Sequence, residues 1–289
     1  MSDSPTLRER IDDPEIVVAM GVHDPFTALI AGRVGFEAFY HGGYAAAAHH
    51  FGVPDIGIVG LAEMVESVRR VTSVTDTPVI ADCDTGYGEL AAVRRTVREM
   101  EAAGAAAIQL EDQVFPKRCG HLDGKRVIPR DEMVMKLRAA AAARRSPETV
   151  IIARTDALAP LGLDQAIDRC NAYSEAGADI LFVDAARTRE QLEEIARRVD
   201  GPSLANMSET GRTPALTADE LQELGYRVVI FPSTQTWAIA HAYEAVCQEL
   251  RRHGTTRGLT EQFMPFDEVN ELLGLSRWEA VEMGASPAP

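Results

Sequence analysis

Acidic and basic side chains recur at fixed places along this chain, and their types suit metal-assisted chemistry on a small anion. Asp82 and Asp84 stand two apart in A-D-C-D-T-G-Y-G. On a strand, residues two apart face the same side. Two carboxylates held together repel unless a cation or a proton intervenes. Magnesium takes oxygen ligands and keeps several waters, so Asp82, supported by Asp84, Asp55 and Glu111 through water, forms a candidate magnesium site, with manganese as the alternative ion. Helix capping or turn chemistry is the competing reading, since Asp and Gly are common turn residues. For Asp55 and Asp112 taken alone, that reading weighs as much as the metal one.

A second group lies in F-P-K-R-C-G-H-L-D-G-K, where Lys117, Cys119 and His121 alternate. A nearby cation lowers a thiol pKa and makes it a better proton donor or nucleophile. Gly120 and Gly124 would let the segment move as a lid. Cys83, Cys170 and Cys247 read instead as buried and inert, the last two because they fall in helical patterns. Arg154 ends an apolar run, where an unpaired arginine is costly. It is either a structural ion pair with Asp156 or Glu111, or a clamp on a substrate carboxylate. His49 and His50 read as loop or surface residues, and His41 is open.

The elements that must position these groups are short β-branched runs alternating with helical patterns. The spacing predicts strands at 16–20, 38–41, 78–82, 106–111, 150–154, 180–184, 203–207 and 227–231. It predicts helices at 61–71, 90–103, 131–143, 163–176, 189–198 and 217–224, where apolar residues recur at helical spacing. Gly104, Gly177 and Gly225 suit the left-handed position that ends a helix. Eight strands alternating with helices predict an α/β fold, a (β/α)8 TIM-type barrel. A doubly wound sheet would fit the pattern too, but no G-x-G-x-x-G follows a strand. In a barrel the catalytic groups sit at the C-terminal ends of strands, where Tyr40, Asp82, Glu111, Arg154, Asp184 and Asn206 fall.

Composition narrows the partners. The 289 residues carry 29 Lys plus Arg against 44 Asp plus Glu, a net charge of −15. That balance argues against a nucleic acid or an anionic membrane as partner. Four cysteines lie at neither disulfide nor zinc spacing, which predicts reduced thiols. The first ten residues lack a signal-peptide core, and no apolar stretch approaches the roughly 20 residues of a membrane span. A cytoplasmic enzyme is expected.

With these residues in place, a family likeness follows. P-D-I-G-I (54–58), D-C-D-T-G-Y-G (82–88), E-D-Q-V-F-P-K-R-C-G-H (111–121), I-I-A-R-T-D-A (151–157) and L-A-N-M-S-E-T-G (204–211) resemble the isocitrate lyase / phosphoenolpyruvate mutase superfamily. Its short members include 2-methylisocitrate lyase, dimethylmalate lyase and carboxyphosphonoenolpyruvate phosphonomutase. The resemblance implies a barrel at 1–257 and a helical tail at 258–289, with a C-terminal helix swapped between subunits of a homotetramer. It makes Asp82 the direct magnesium ligand, with Asp55, Asp84 and Glu111 acting through water. Cys119 becomes the acid of a mobile loop, tuned by Lys117 and His121. Tyr40 and Arg154 join it in catalysis, and Gly42, Gly43, Gly120, Asp184 and Asn206 contact substrate.

The implied activity is magnesium-dependent carbon–carbon cleavage of a 2-hydroxy di- or tricarboxylate, giving a 2-oxo acid such as pyruvate. Phosphonomutase chemistry and oxaloacetate hydrolysis or decarboxylation on the same metal site are the alternatives. Two positions depart from the family pattern. Gly42 replaces a serine or threonine, and Asp184 replaces the glutamate usual in methylisocitrate lyases.

Overall fold

A computed structural model describes residues 5–120 and 122–284. Eight parallel strands alternate with helices: β1 (Val17–Gly21), β2 (Ala38–His41), β3 (Val79–Asp82), β4 (Ala107–Glu111), β5 (Val150–Thr155), β6 (Ile180–Val183), β7 (Leu204–Asn206) and β8 (Val228–Phe231). Their order is β6-β5-β4-β3-β2-β1-β8-β7. β6 and β7 meet through a single bridge, Leu181 to Ser203, so the (β/α)8 barrel is nearly closed. β7 is the shortest strand, three residues against the five expected, and the weak joint lies beside it.

Alternation along each strand divides the apolar residues between two cores. Val17, Ala19, Ile80, Ile152, Phe182 and Ile230 fill the barrel interior. Ala81, Ile108, Leu110, Ile151 and Leu181 turn outward to meet Met64, Val93, Val97, Met133 and Leu137 on the surrounding helices. Filling both sides of a parallel strand needs an almost continuous apolar run, which is the pattern the sequence shows. The helix Leu7–Asp12 buries Leu7 and Ile11 against the interior core. The expected glycines stand at positive φ: Gly104 at 89°, Gly177 at 101° and Gly225 at 102°.

Several elements go beyond the sequence expectation. The helix Pro25–Val34, capped by Asp24 and Thr27, connects β1 to β2. A short helix Gly43–Ala46 runs into a π-turn at Ala47–Phe51. His49 and His50 stand on that π-turn rather than in a loop, His50 exposed as expected and His49 half-buried. The His49 ring stacks on His23, with centroids 3.5 Å apart, and His50 Nε2 lies 2.6 Å from the His23 carbonyl.

The helix Thr234–His253 buries only Gln235 and Thr236, and Cys247 on it is exposed rather than buried. Cys83 and Cys170 are buried as expected. The predicted tail helix is two, Phe266–Leu272 and Leu275–Glu282, parted by Gly274 at φ 72°. No described helix is long and apolar enough to cross a membrane.

Candidate active site

The C-terminal ends of the strands open onto one cavity. It is lined by Tyr40, Gly42, Gly43, Tyr44, Asp55, Asp82, Glu111, Lys117, Arg118, Cys119, Gly120, Arg154, Asp184 and Asn206, with Ser208, Ile230, Pro232 and Ser233 completing the wall. Asp84 borders it through its contact with Lys117. Every site residue expected from the sequence is therefore in or beside one pocket, except His121, which lies outside the described residues. His41 does not reach the cavity. Its buried ring turns away, with Nδ1 3.1 Å from the Val22 carbonyl.

The carboxylates converge, though not by strand pleating. β3 ends at Asp82, and Asp84 has already turned to φ 48°, so the expectation that both face one side of a strand is corrected. The turn itself brings them together, because the Asp84 amide donates to Asp82 Oδ1 at 3.2 Å. Asp82 also accepts from the Gly43 amide at 3.2 Å and from Gln109 Nε2 at 3.4 Å. Gly43 leaves room for this approach: a Cβ there would lie 3.3–3.6 Å from Asp84, Asp82 and Lys117 atoms. Gln109 also donates to Tyr40 Oη at 2.9 Å. Burial, then Asp82, keeps the Tyr40 phenol well above its ordinary pKa.

Lys117 reaches the carboxylates of the cluster. Its ammonium is 2.5 Å from Asp55 Oδ1 and 2.7 Å from Asp84 Oδ1. Burial opposes that charge, but Asp84 and Asp55 outweigh it and hold the lysine well above its usual range. One lysine is too little for the cluster. Burial, then repulsion from Asp82 and Asp55, pushes Asp84 up to about 7 against the pull of Lys117. Burial likewise raises Glu111 well above the carboxylate range, with Arg154 opposing. Glu111 Oε1 is buried with no hydrogen-bond partner.

These are hard oxygen donors short of positive charge, and they fit a cation such as magnesium. Among the described residues no three Asp, Glu, His or Cys side chains form a preformed metal cage. Magnesium does not require one, since one or two carboxylates and several waters suffice.

Arg154 stands between Glu111 and Asp184. Nε is 2.9 Å from Asp156 Oδ2 and 3.4 Å from Glu111 Oε2. Nη2 is 2.7 Å from Asp184 Oδ2, and Asn206 Nδ2 donates to Asp184 Oδ1 at 3.3 Å. Asp156, pulled below its usual range by Arg154 and Lys125 despite burial, stays ionised. Asp112 has a structural place. It accepts from Thr155 Oγ1, the Asp156 amide, Arg169 and Tyr173 at 2.7–3.0 Å, and so fixes the end of β5 on which Arg154 and Asp156 stand.

The segment carrying Cys119 is docked over the cavity. The Cys119 amide donates to the Asp55 carbonyl at 3.2 Å. The space left is about 50 Å³. At roughly 10–15 Å³ per water it holds a few waters. Sequence reasoning missed Gln109, Lys125, Ser208 and Ser233. Lys125 closes the quoted F-P-K-R-C-G-H-L-D-G-K run and could have been found there as a second basic residue of the same loop.

The sequence model of the family described as phosphoenolpyruvate phosphomutase matches residues 7–251. The chain is 43% identical over 282 residues to 2,3-dimethylmalate lyase of Eubacterium barkeri, covering 98% of each. It is 47% identical over 273 residues to 2-methylisocitrate lyase of Aeropyrum pernix, covering 94% of this chain and 88% of that one. Among solved structures it superposes on oxaloacetate acetylhydrolase bound to 3,3-difluorooxalacetate with a TM-score of 0.92 at 34% identity, covering 99% and 98% of the two chains. It superposes on phosphonopyruvate hydrolase in complex with oxalate and Mg++ with a TM-score of 0.89 at 32% identity, covering 98% and 99%. With these likenesses along nearly its whole length, the chain belongs to the phosphoenolpyruvate phosphomutase family, in the superfamily shared with isocitrate lyase.

Proposed function

We propose that the protein is a magnesium-dependent carbon–carbon lyase that cleaves a 2-alkylmalate or 2-methylisocitrate type substrate to a 2-oxo acid, such as pyruvate, and a carboxylic acid. The observation that carries this reading is the cavity itself, where Asp55, Asp82, Glu111, Arg154 and Cys119 line one space. The two curated relatives described above are both lyases by name.

Asp82 would hold the cation, with Asp55, Asp84 and Glu111 acting through its waters. Magnesium when bound supplies a Lewis acid for the substrate's hydroxyl and neighbouring carboxylate oxygens. The remaining work falls to side chains. Arg154 and Asn206 orient the carboxylate of the departing fragment, with Gly42, Gly43, Gly120 and Asp184 shaping the pocket. Tyr44, Ile230 and Pro232 offer an apolar wall for an alkyl substituent.

A carboxylate of the Asp55, Asp84 and Glu111 cluster takes the hydroxyl proton, and the carbon that bore the hydroxyl becomes a carbonyl as the adjacent carbon–carbon bond breaks. The electron pair passes to the fragment beside its carboxylate, where Arg154 opposes the developing charge. The Cys119 thiol then gives its proton to that carbon, with Lys117 and His121 setting the loop's charge, and Tyr40 holds the floor of the site. Loop docking keeps water from the carbanion.

Assembly belongs to the same reading. The helix Thr234–His253 and the tail expose Tyr243 (68%), Phe266 (81%), Trp278 (66%) and Met283 (81%). Apolar surface of this kind marks an interface. It supports helix exchange with a second copy and a homotetramer, with the barrel at 1–257 and the tail at 258–289 as parts of one assembly. Manganese substitutes for magnesium on these donors, and the compartment is the cytoplasm.

The test is 2-oxo acid release from a panel of 2-alkylmalates and 2-methylisocitrate with magnesium. Consumption of oxaloacetate in place of any release would assign the site to hydrolysis or decarboxylation instead.

A further inference from the structure

The loop that carries Cys119 delivers a second buried lysine to the site. Lys125 is 8% exposed. Its Nζ donates to Asp156 Oδ1 at 2.7 Å and lies 3.9 Å from Asp184 Oδ2. Arg154 Nη2 faces the same two oxygens, at 3.1 Å and 2.7 Å. The lysine and the arginine therefore share both carboxylates.

The loop geometry makes this a consequence of docking. The base of the loop is pinned by the bridge between Gln113 and Val127 and by the Val114 amide donating to the Arg126 carbonyl at 2.8 Å. Lys125 lies one residue inside that pair. It follows Gly124, whose φ of 80° and open surroundings mark a point where the chain turns freely. Lys117, at the other end of the loop, occupies Asp55 and Asp84. The docked loop thus sets one ammonium group into each half of the site.

Charge counting gives Lys125 its role. Arg154 is touched by Glu111, Asp156 and Asp184. A guanidinium engaged by three protein carboxylates has little attraction left for a fourth. A buried ammonium on Asp156 and beside Asp184 draws on the same negative charge, and in a site of low dielectric that redistribution is strong.

We propose that Lys125 is a positioning residue for the substrate clamp: its ammonium stands against Asp156 and Asp184, and this leaves Arg154 able to take a substrate carboxylate. The proposal rests on the reading of this cavity as a carboxylate site.

The experiment compares Lys125→Met, Lys125→Gln and Lys125→Arg in the full chain. Oxalate binding with magnesium is measured by calorimetry, and KM and kcat with the substrate found active. Lys125→Met and Lys125→Gln are expected to weaken oxalate roughly 10- to 100-fold, the scale of one charge-assisted hydrogen bond. KM should rise by a similar factor, with a smaller change in kcat. Lys125→Arg should recover most of the affinity, which a loss of packing alone would not allow. If Lys125→Met does not fold, Lys125→Gln carries the same comparison. Wild-type oxalate affinity and KM in a folded Met or Gln variant would overturn the role of Lys125 while leaving the carboxylate site intact. A wild-type protein that binds no oxalate would overturn both.

Discussion

The Cα of Gly120 lies against the Asp184 carboxylate so closely that a Cβ would fall 1.7 Å from Oδ2 and 2.5 Å from Arg154 Nη2. Only glycine allows the loop to dock here. Gly120→Ala should therefore fold normally, because the loop contributes little to the core, and should lose turnover by about 10²-fold or more, the scale on which a misplaced catalytic group costs rate. Thermal unfolding and steady-state rates separate the two effects. Retained turnover would mean that the docked position is not the reactive one.

Cys119→Ser tests the proton donor. A serine hydroxyl is a far weaker acid than a thiol, so kcat should fall on the order of 10²–10⁴-fold, the span attributed to general acid–base groups. Oxalate binding with magnesium should stay near wild type. Near-normal kcat would remove Cys119 from the reaction.

Asp112 is expected to matter for stability and not for binding. Asp112→Ala strips the partner from Arg169, which is itself buried, and breaking a buried pair from one side costs about 3–5 kcal/mol. Tyr173→Phe removes one hydrogen bond to the same carboxylate and should cost about 1 kcal/mol. Urea unfolding measures both. Equal losses in the two variants would contradict the assignment of Asp112 as the centre of this network.

Acid sensitivity follows from His41. Burial holds its imidazole down to about 4 from the ordinary 6.5. The unfolded chain binds a proton that the folded chain refuses between these values. The stabilisation from keeping His41 neutral is thus fully present above pH 6.5, declines as pH falls toward 4, and is gone below it. The full effect is on the order of 3 kcal/mol. His41→Gln should remove it, so the stability gap between wild type and variant should narrow by about that amount between pH 7.5 and pH 4.5 in urea titrations. A gap independent of pH would show that the imidazole is not held neutral by the fold.

Much of this was legible in the sequence because a barrel strand buried on both faces leaves an uninterrupted apolar run that ends in polar residues. The endings at Asp82, Glu111, Arg154 and Asp184 marked both the strands and the site. What lay hidden depends on contacts across the fold. The turn at Asp84, the place of Lys117 between Asp55 and Asp84, and the pairing of Lys125 with Asp156 join residues up to 62 positions apart. The same is true of the histidines: His23 meets His49 only because the π-turn at 47–51 carries it there. Cys247 lies on a helix whose pattern looks amphipathic in sequence, yet in the single chain that helix buries only two residues.

The central claim is tested most directly by incubating the protein with magnesium and 2,3-dimethylmalate or 2-methylisocitrate and following 2-oxo acid release, with and without a chelator. The account predicts release that stops on chelation, returns with added magnesium, and is absent in Asp82→Ala. No release from any 2-alkylmalate or methylisocitrate, or release indifferent to the chelator, would contradict it.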